Sequence, residues 1–478
     1  SVKAIRFVRA SRDVGINLSV SDVLRHPVFF DLCALQESRE MSKVSYSGRK
    51  LQIDRPGSFG IGNHLISKSF QTSYPATDVQ TLVMLKGSEA PEGIYNRLVW
   101  EVRGNLNIDH LVAACQACVD HHPILRTYFS IEDGQGLQAH VEPRVSANFI
   151  KYDDIETAKS AWGVFEESYL NRQMTEFSLC QTDQDTYFFT VGLHHSQFDL
   201  WVLADLFKDI QLAYRRLPLA PRPDFSIFAK SLQSGPPVEV QEFWRKYLKD
   251  AEVTCIGSGL IEGDRADGII KLKLTWTGNR NYTFGMVLHT AWAISLARTT
   301  GSTSITFGTV ASGRSSAYPH ITELFGPCFN LILFHTNIYG NWSYKDMIKD
   351  VSSRIQASGA YDTVSYSQVV EKCTSWSPQT MCSTVIQHIT GDLHSMTSDL
   401  RETGLEWTAV DPVQQVGACR VFDVLFQSFQ PANGSDIYME LKFNSNRVHA
   451  DLATRLSNYM YAAVLEILED DQQQIRLG

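Results

Sequence analysis

Aromatic and β-branched residues crowd into the run Tyr187-Phe188-Phe189-Thr190-Val191-Gly192-Leu193, a pattern that predicts a buried strand. Shortly after it, Trp201, Leu203, Ala204, Leu206, Phe207, Ile210, Ala213 and Tyr214 recur at helical spacing. Upstream, the same reasoning predicts a strand over Arg97–Val102, a helix over Asp109–Val119, a strand over Ile124–Ile131 and a helix over Ile155–Met174. The order β-α-β-α-β-α implies a layered α/β sandwich. Prolines 218, 221 and 223 make a turn before Phe225–Leu232, and Glu239–Leu248 reads as an amphipathic helix. The glycine-bearing stretch 252–280 then crosses to a second α/β set. That set comprises helix Thr283–Thr299, strands Ile305–Val310 and Phe329–Asn337, further apolar runs at Ser383–His388, Phe422–Ser428 and Tyr438–Asn444, and a closing helix Ala450–Leu468. No period of ~20–50 residues marks a repeat architecture.

The first 38 residues carry short helical spacings (Val2, Ile5, Val8), with Ser19 and Ser21 as N-cap candidates before a helix that Pro27 interrupts. Residues 39–70 are polar, without sustained period, and read as a linker. A chain of 478 residues exceeds one compact core, so several domains are expected, with 71–250 and 251–478 as two matched halves. With 44% hydrophobic and 20% charged residues, it has the composition of a globular protein. A net charge of −9 and no basic stripe argue against nucleic acid as partner. No apolar run reaches the ~18 residues of a membrane span, and no signal-peptide pattern opens the chain. Nine scattered cysteines fit reduced thiols and a cytoplasmic setting.

Chemistry concentrates between the first strand and helix named above. His194, His195 and Asp199 stand at a strand-to-helix corner, where a buried scaffold presents polar groups to a cleft. An imidazole there takes up a proton near neutral pH, and a carboxylate four residues on fixes its surroundings. A half-buried, purely structural histidine pair is the alternative, and spacing alone leaves it open. No further His or Cys cluster nearby completes a metal ligand set. A second pair, His121-His122, lacks an acidic residue at the same offset and reads as structural, and the lone Cys115–Cys118 pair reads as core packing.

Two resemblances extend this reading. The opening SVKAIRFVRASRDVGINLSVSDVLRHPVFFDLCAL is similar to the second half of a nonribosomal peptide synthetase thiolation (peptidyl carrier) domain. The resemblance places Ser1 where that family carries covalent 4'-phosphopantetheine. From about residue 71 onward, several segments resemble the ordered motifs of synthetase condensation domains. They are His121–Thr127 (HHPILRT), His194–Asp199 (HHSQFD), Gly308-Thr309-Val310 with Ser312-Gly313-Arg314, Gly326-Pro327 with Asn330, and Ser383–His388.

That family implies two chloramphenicol-acetyltransferase-like lobes in a V-shaped pseudo-dimer, here preceded by a partial helical carrier domain. A tunnel between the lobes would admit carrier-bound pantetheine arms. By position, His195 would accept or orient the proton of an amine attacking a peptidyl thioester. Its ordinary pKa of ~6.5 leaves it mostly neutral at cytosolic pH. Asp199 would pair with Arg314 and hold the corner, while His194 is architectural. The signature is broken at Leu200, where glycine is usual; a positive φ there would strain leucine. Fungal terminal condensation-like domains, which cyclise and release peptides, share the missing glycine and a tyrosine fifteen residues after the aspartate, met by Tyr214. They usually have serine at the position of His194. YPATD (Tyr74–Asp78), Arg222–Leu232 and the following FWRKYL resemble that branch, and the short stretch after the last helix suits a terminal domain. The expectation is therefore intramolecular amide formation, with an ordinary elongating condensation domain and a non-catalytic docking module as alternatives. Partners would be upstream adenylation and condensation modules and the tethered peptide, acting on a monomer.

Overall fold

A computed structural model describes residues 72–86, 93–257 (save 167), 268–276, 282–315, 318–390, 404–410, 421–431 and 436–477, with scattered positions among the first 35. Ser1 and the linker 39–70 lie outside the described residues. Of the N-terminal piece, Ala4, Val8, Leu18 and Leu32 form a small buried cluster against Val23 and Trp201.

The first half opens with β1 (Thr72–Pro75), β2 (Tyr95–Arg103) and α1 (Ile108–His121), capped by the Asn107 side chain, which accepts from the His110 N–H. Strands β3 (Thr127–Glu132), β4 (Gly136–Val141) and β5 (Asn148–Tyr152) follow, then α2 (Ile155–Trp162), β6 (Glu176–Asp183), β7 (Thr186–His194) and α3 (Leu200–Tyr214). Helices α4 (Phe225–Leu232) and α5 (Val238–Tyr247) close the half. The second half holds β8 (Gly268–Thr275), α6 (Phe284–Thr300), β9 (Ser304–Ala311), β10 (Asn330–Asn337), α7 (Tyr344–Gly359), α8 (Tyr366–Cys373), β11 (Thr384–Thr390), β12 (Glu406–Val410), β13 (Val424–Gln430), β14 (Asp436–Phe443) and α9 (Ala450–Glu469).

Each half is a lobe built on its own sheet. A five-stranded sheet of order β12-β2-β7-β6-β5 carries the first, and a six-stranded sheet of order β10-β9-β11-β13-β14-β8 carries the second. β7 lies in the middle of its sheet, antiparallel to both neighbours, and its residues from Phe189 to His194 are buried. Trp100 of β2 and Phe207 of α3 meet with ring centroids 3.8 Å apart, packing the site helix onto the sheet. In the second lobe α6 is buried along almost its whole length, from Val287 to Ala297, between its sheet and α9.

The lobes exchange chain. β12, from the second half, pairs antiparallel with β2 and extends the first lobe's sheet. The loop following Arg314 also enters the first lobe, where Ile321, Leu324, Phe325 and Cys328 join its core.

Several local expectations change. The helix expected over Ile155–Met174 stops at Trp162, because Gly163 caps it and the chain turns irregular. Pro123–Arg126 is a 3-10 turn, so that strand begins only at Thr127; Pro123 supplies its first residue and no N–H. The crossing stretch contains β8, an edge strand whose Lys271 and Lys273 point outward.

Candidate active site

Strand β7 ends at His194 and α3 begins at Leu200, leaving five residues to turn the corner. Asp199 is the N-cap of α3, with extended backbone (φ −125°, ψ 174°) and its carboxylate accepting the Val202 N–H at 3.0 Å. The corner is tied on three further sides. The His195 N–H donates to the Ile94 carbonyl (2.9 Å), and the Gln80 side-chain amide donates to the Ser196 carbonyl (3.0 Å). Gln197, fully buried, donates to the Ile124 carbonyl and to Thr175 Oγ1. Such a turn holds its side chains rigidly.

Within it, His195 is the part-exposed member of the histidine pair. Its Nδ1 lies 3.2 Å from the Phe198 carbonyl oxygen. A carbonyl only accepts, so Nδ1 carries the hydrogen, and Nε2 of the neutral ring holds a lone pair. The ring stacks on Phe198 (centroids 4.8 Å, 10° between planes) and leans on Phe329 of the second half at 4.6 Å. Burial among these groups lowers the imidazole pKa below its ordinary value, against smaller opposing effects of the backbone carbonyls and Asp199. His195 therefore stays neutral at neutral pH.

His194 faces inward, 2% exposed, and burial with the neighbouring His195 pushes its pKa down to about 3. Its Nδ1 accepts from the Ser196 backbone N–H (3.2 Å) and lies 2.8 Å from Ser196 Oγ, so the ring is a neutral structural group.

Asp199 points away from the His195 ring into a buried ion pair. Arg314 Nη2 donates to both carboxylate oxygens (3.1 and 2.9 Å) and Nε to one of them (3.2 Å). The Cys328 N–H adds a further bond at 3.0 Å. The remaining guanidinium donors reach the carbonyls of Ile321, Leu324 and Gly326. Arg314 is 1% exposed, yet its charge is retained because the carboxylate and three backbone carbonyls replace water. Gly313 makes this possible: with φ +65°, a Cβ there would sit 1.5 Å from the Cys328 carbonyl oxygen.

A polar pocket opens in the seam between the lobes, lined by Asp78 and Val79 from the first half, residues of α4, and Phe329, Asn330, Ser365, Ser367 and Gln368 from the second. Phe329 is thus wall to both the pocket and the His195 ring. Asp78 spans the seam: its Oδ2 accepts from Ser365 Oγ (2.5 Å) and from the Ser367 N–H (2.8 Å), adding an acceptor at the first turn of α8. Deeper in, Asp362 is 2% exposed, with one oxygen accepting the Ser315 N–H at 3.3 Å and the other without a partner among the described residues. Burial pushes its pKa up to about 7.

The remaining sequence candidates fall elsewhere. His122 stacks on Phe325 (centroids 3.5 Å) and bonds Asp209 at 2.9 Å; Asp209 and Asp205 both hold Arg222. Its acidic partner exists but lies 87 residues away, beyond the reach of local spacing. Tyr214 ends α3 and accepts the Asn107 N–H at 3.0 Å, a full helix length from the histidines. Leu200 is the first helical residue of α3 and has no positive φ, so the anticipated strain is absent. Cys115 and Cys118 are buried in the core, and no group of metal-ligating side chains occurs among the described residues. Sequence reasoning did not find Phe198, Phe329, Asp78 or Asp362. Asp78 stood in YPATD, Phe198 in HHSQFD and Phe329 at the head of a predicted strand, but none carried a sign of its distant partners.

The family described as Condensation domain matches residues 70–477. Among curated proteins, the chain is 23% identical over 406 residues to the nonribosomal peptide synthetase apmB of Penicillium brevicompactum, covering 81% of this chain and 17% of that protein. It is 25% identical over 419 residues to the malformin synthetase mlfA of Aspergillus sclerotiicarbonarius, covering 81% and 8% respectively. The chain thus spans a small part of these relatives' length. Among solved structures, holo T3CT superposes with a TM-score of 0.72 at 21% identity, covering 84% of this chain and 92% of that one. The X-domain from teicoplanin biosynthesis superposes at 0.68 with 16% identity, covering 86% and 98%.

Proposed function

Because the chain belongs to the condensation-domain family, we propose that it forms an amide from a carrier-tethered peptidyl thioester, and that the attacking amine belongs to the same peptide, closing a ring. The observation that carries the catalytic part is the contact between His195 Nδ1 and the Phe198 carbonyl oxygen. The Nδ1 hydrogen is committed to the Phe198 carbonyl, so Nε2 is the free base on a fixed ring. As the amine nitrogen attacks the thioester carbonyl, Nε2 takes its proton and the C–N bond forms. The C–S bond then breaks, and the proton passes to the departing sulfur, leaving a thiol. Asp199 takes no proton in this scheme; locked by Arg314, it holds the helix entry that places the ring.

The cyclising direction draws on Leu200 in place of glycine and on the fold shared with holo T3CT and CT. His194, where that branch usually has serine, favours the ordinary elongating reaction as the second reading. The peptide would arrive on 4'-phosphopantetheine as its tether, with Ser1 as the proposed attachment point, and the neighbouring modules of a larger synthetase would supply it. Among the described residues no helix is long and apolar enough to cross a membrane.

A synthetic peptidyl-pantetheine thioester, given to the full chain and followed by mass spectrometry, tests this. A product lighter than the hydrolysed peptide by one water, formed without a second carrier, supports cyclisation. Product that appears only after a loaded acceptor carrier is added supports elongation instead, and hydrolysis alone counts against both.

A further inference from the structure

The seam pocket differs in character from the ring it adjoins. Its walls carry the amides of Gln233, Asn330 and Gln368 and the hydroxyls of Ser365 and Ser367, and one charged group, the Asp78 carboxylate. No lysine, arginine or histidine lines it among the described residues. The bonds to Ser365 and Ser367 both engage Asp78 Oδ2. Oδ1 has no partner among the described residues and is not sealed from solvent. A carboxylate oxygen left open in a cleft between two protein walls attracts positive charge more strongly than one on open surface, because less water screens it.

We propose that this pocket receives a positively charged group of the tethered peptide, an ammonium or guanidinium, and that Asp78 makes the chain selective for such peptides. This rests on the reading of the site as one that takes a peptidyl thioester. The recognised group is distinct from the nucleophile, since an attacking amine must be uncharged. Phe329 fixes how near the two events lie. The same ring touches His195 and walls the pocket, so the charged group belongs to a residue close to the thioester. The amide and hydroxyl walls accept the remaining N–H donors of such a group.

The test is equilibrium binding of unreactive peptidyl-pantetheine amides to the full chain, with lysine or norleucine placed in turn at each of the residues nearest the amide. Lysine at one position should bind about tenfold tighter than norleucine there. Asp78→Asn keeps an acceptor oxygen for Ser365 and Ser367 but removes the charge, and should abolish the preference while norleucine peptides bind as before. Gln233→Lys places a competing charge on an exposed pocket-lining residue and should weaken the lysine peptides selectively, with an unchanged melting point. Equal binding of both peptide sets at every position, or a preference that survives both variants, overturns the proposal. Binding is read apart from turnover. Selective binding without product would sink the catalytic reading alone, and product without selectivity would sink this one alone.

Discussion

Asp199 and Arg314 lie 115 residues apart in the chain and meet through three hydrogen bonds of 2.9–3.2 Å, with both side chains out of water. The pair joins the helix that carries the catalytic corner to a loop from the other half. Removing one partner leaves a charge buried without compensation, which costs roughly 3–5 kcal/mol. Asp199→Ala should therefore lower the denaturation midpoint markedly, and Asp199→Asn less, since the amide oxygen still caps α3. A midpoint unchanged in Asp199→Ala would refute the structural role given to the pair.

Gly313 should tolerate no side chain. Alanine there would combine a left-handed backbone with a collision against the Cys328 carbonyl, whose neighbouring N–H bonds Asp199. Together these should cost roughly 3 kcal/mol. Chemical denaturation of Gly313→Ala measures the loss, and wild-type stability in that variant would show that the loop is free to move aside.

Asp362 gives the protein a pH-dependent weakness. Its folded pKa of about 7 exceeds the ordinary carboxylate value, so the folded state holds this proton longer than the unfolded state. Below ~4 both states are protonated and the group contributes nothing. From there up to about 7 the wild type loses up to ~1.4 kcal/mol per pH unit through this group, and above 7 the penalty is constant. Asp362→Asn lacks this slope. Its stability relative to wild type should climb from pH 4 to 7 and then level off, as read from urea midpoints across that range. A flat difference would mean that Asp362 ionises normally.

Much of this was legible beforehand because the defining segment is local. The strand, corner and helix from Tyr187 to Tyr214 announce themselves by a switch from a short apolar run to helical spacing. Other features depended on partners far away in sequence. β12 is a short strand in a stretch of mixed polarity, and only its pairing with β2 gives it a place. β8 alternates isoleucine and leucine with lysine, yet the glycines around it read as a crossing segment. In the site, Phe198 and Phe329 look like ordinary apolar residues until the fold sets them against His195. Asp362 carries no local mark at all, since its burial comes from packing of the seam.

The central claim is that the neutral Nε2 of His195 takes the proton of the attacking amine. The most direct measurement is the rate of product formation from a peptidyl-pantetheine thioester, against pH, for wild type and His195→Ala. Because the ring's pKa lies below its ordinary value, the rate advantage of wild type over His195→Ala, in which ionisation of the amine cancels, should hold down through pH ~6.5 and shrink only below it. His195→Ala should be at least ~100-fold slower from pH ~6.5 upward, with an unaltered melting point. A variant whose rate stays within about threefold of wild type would contradict the account.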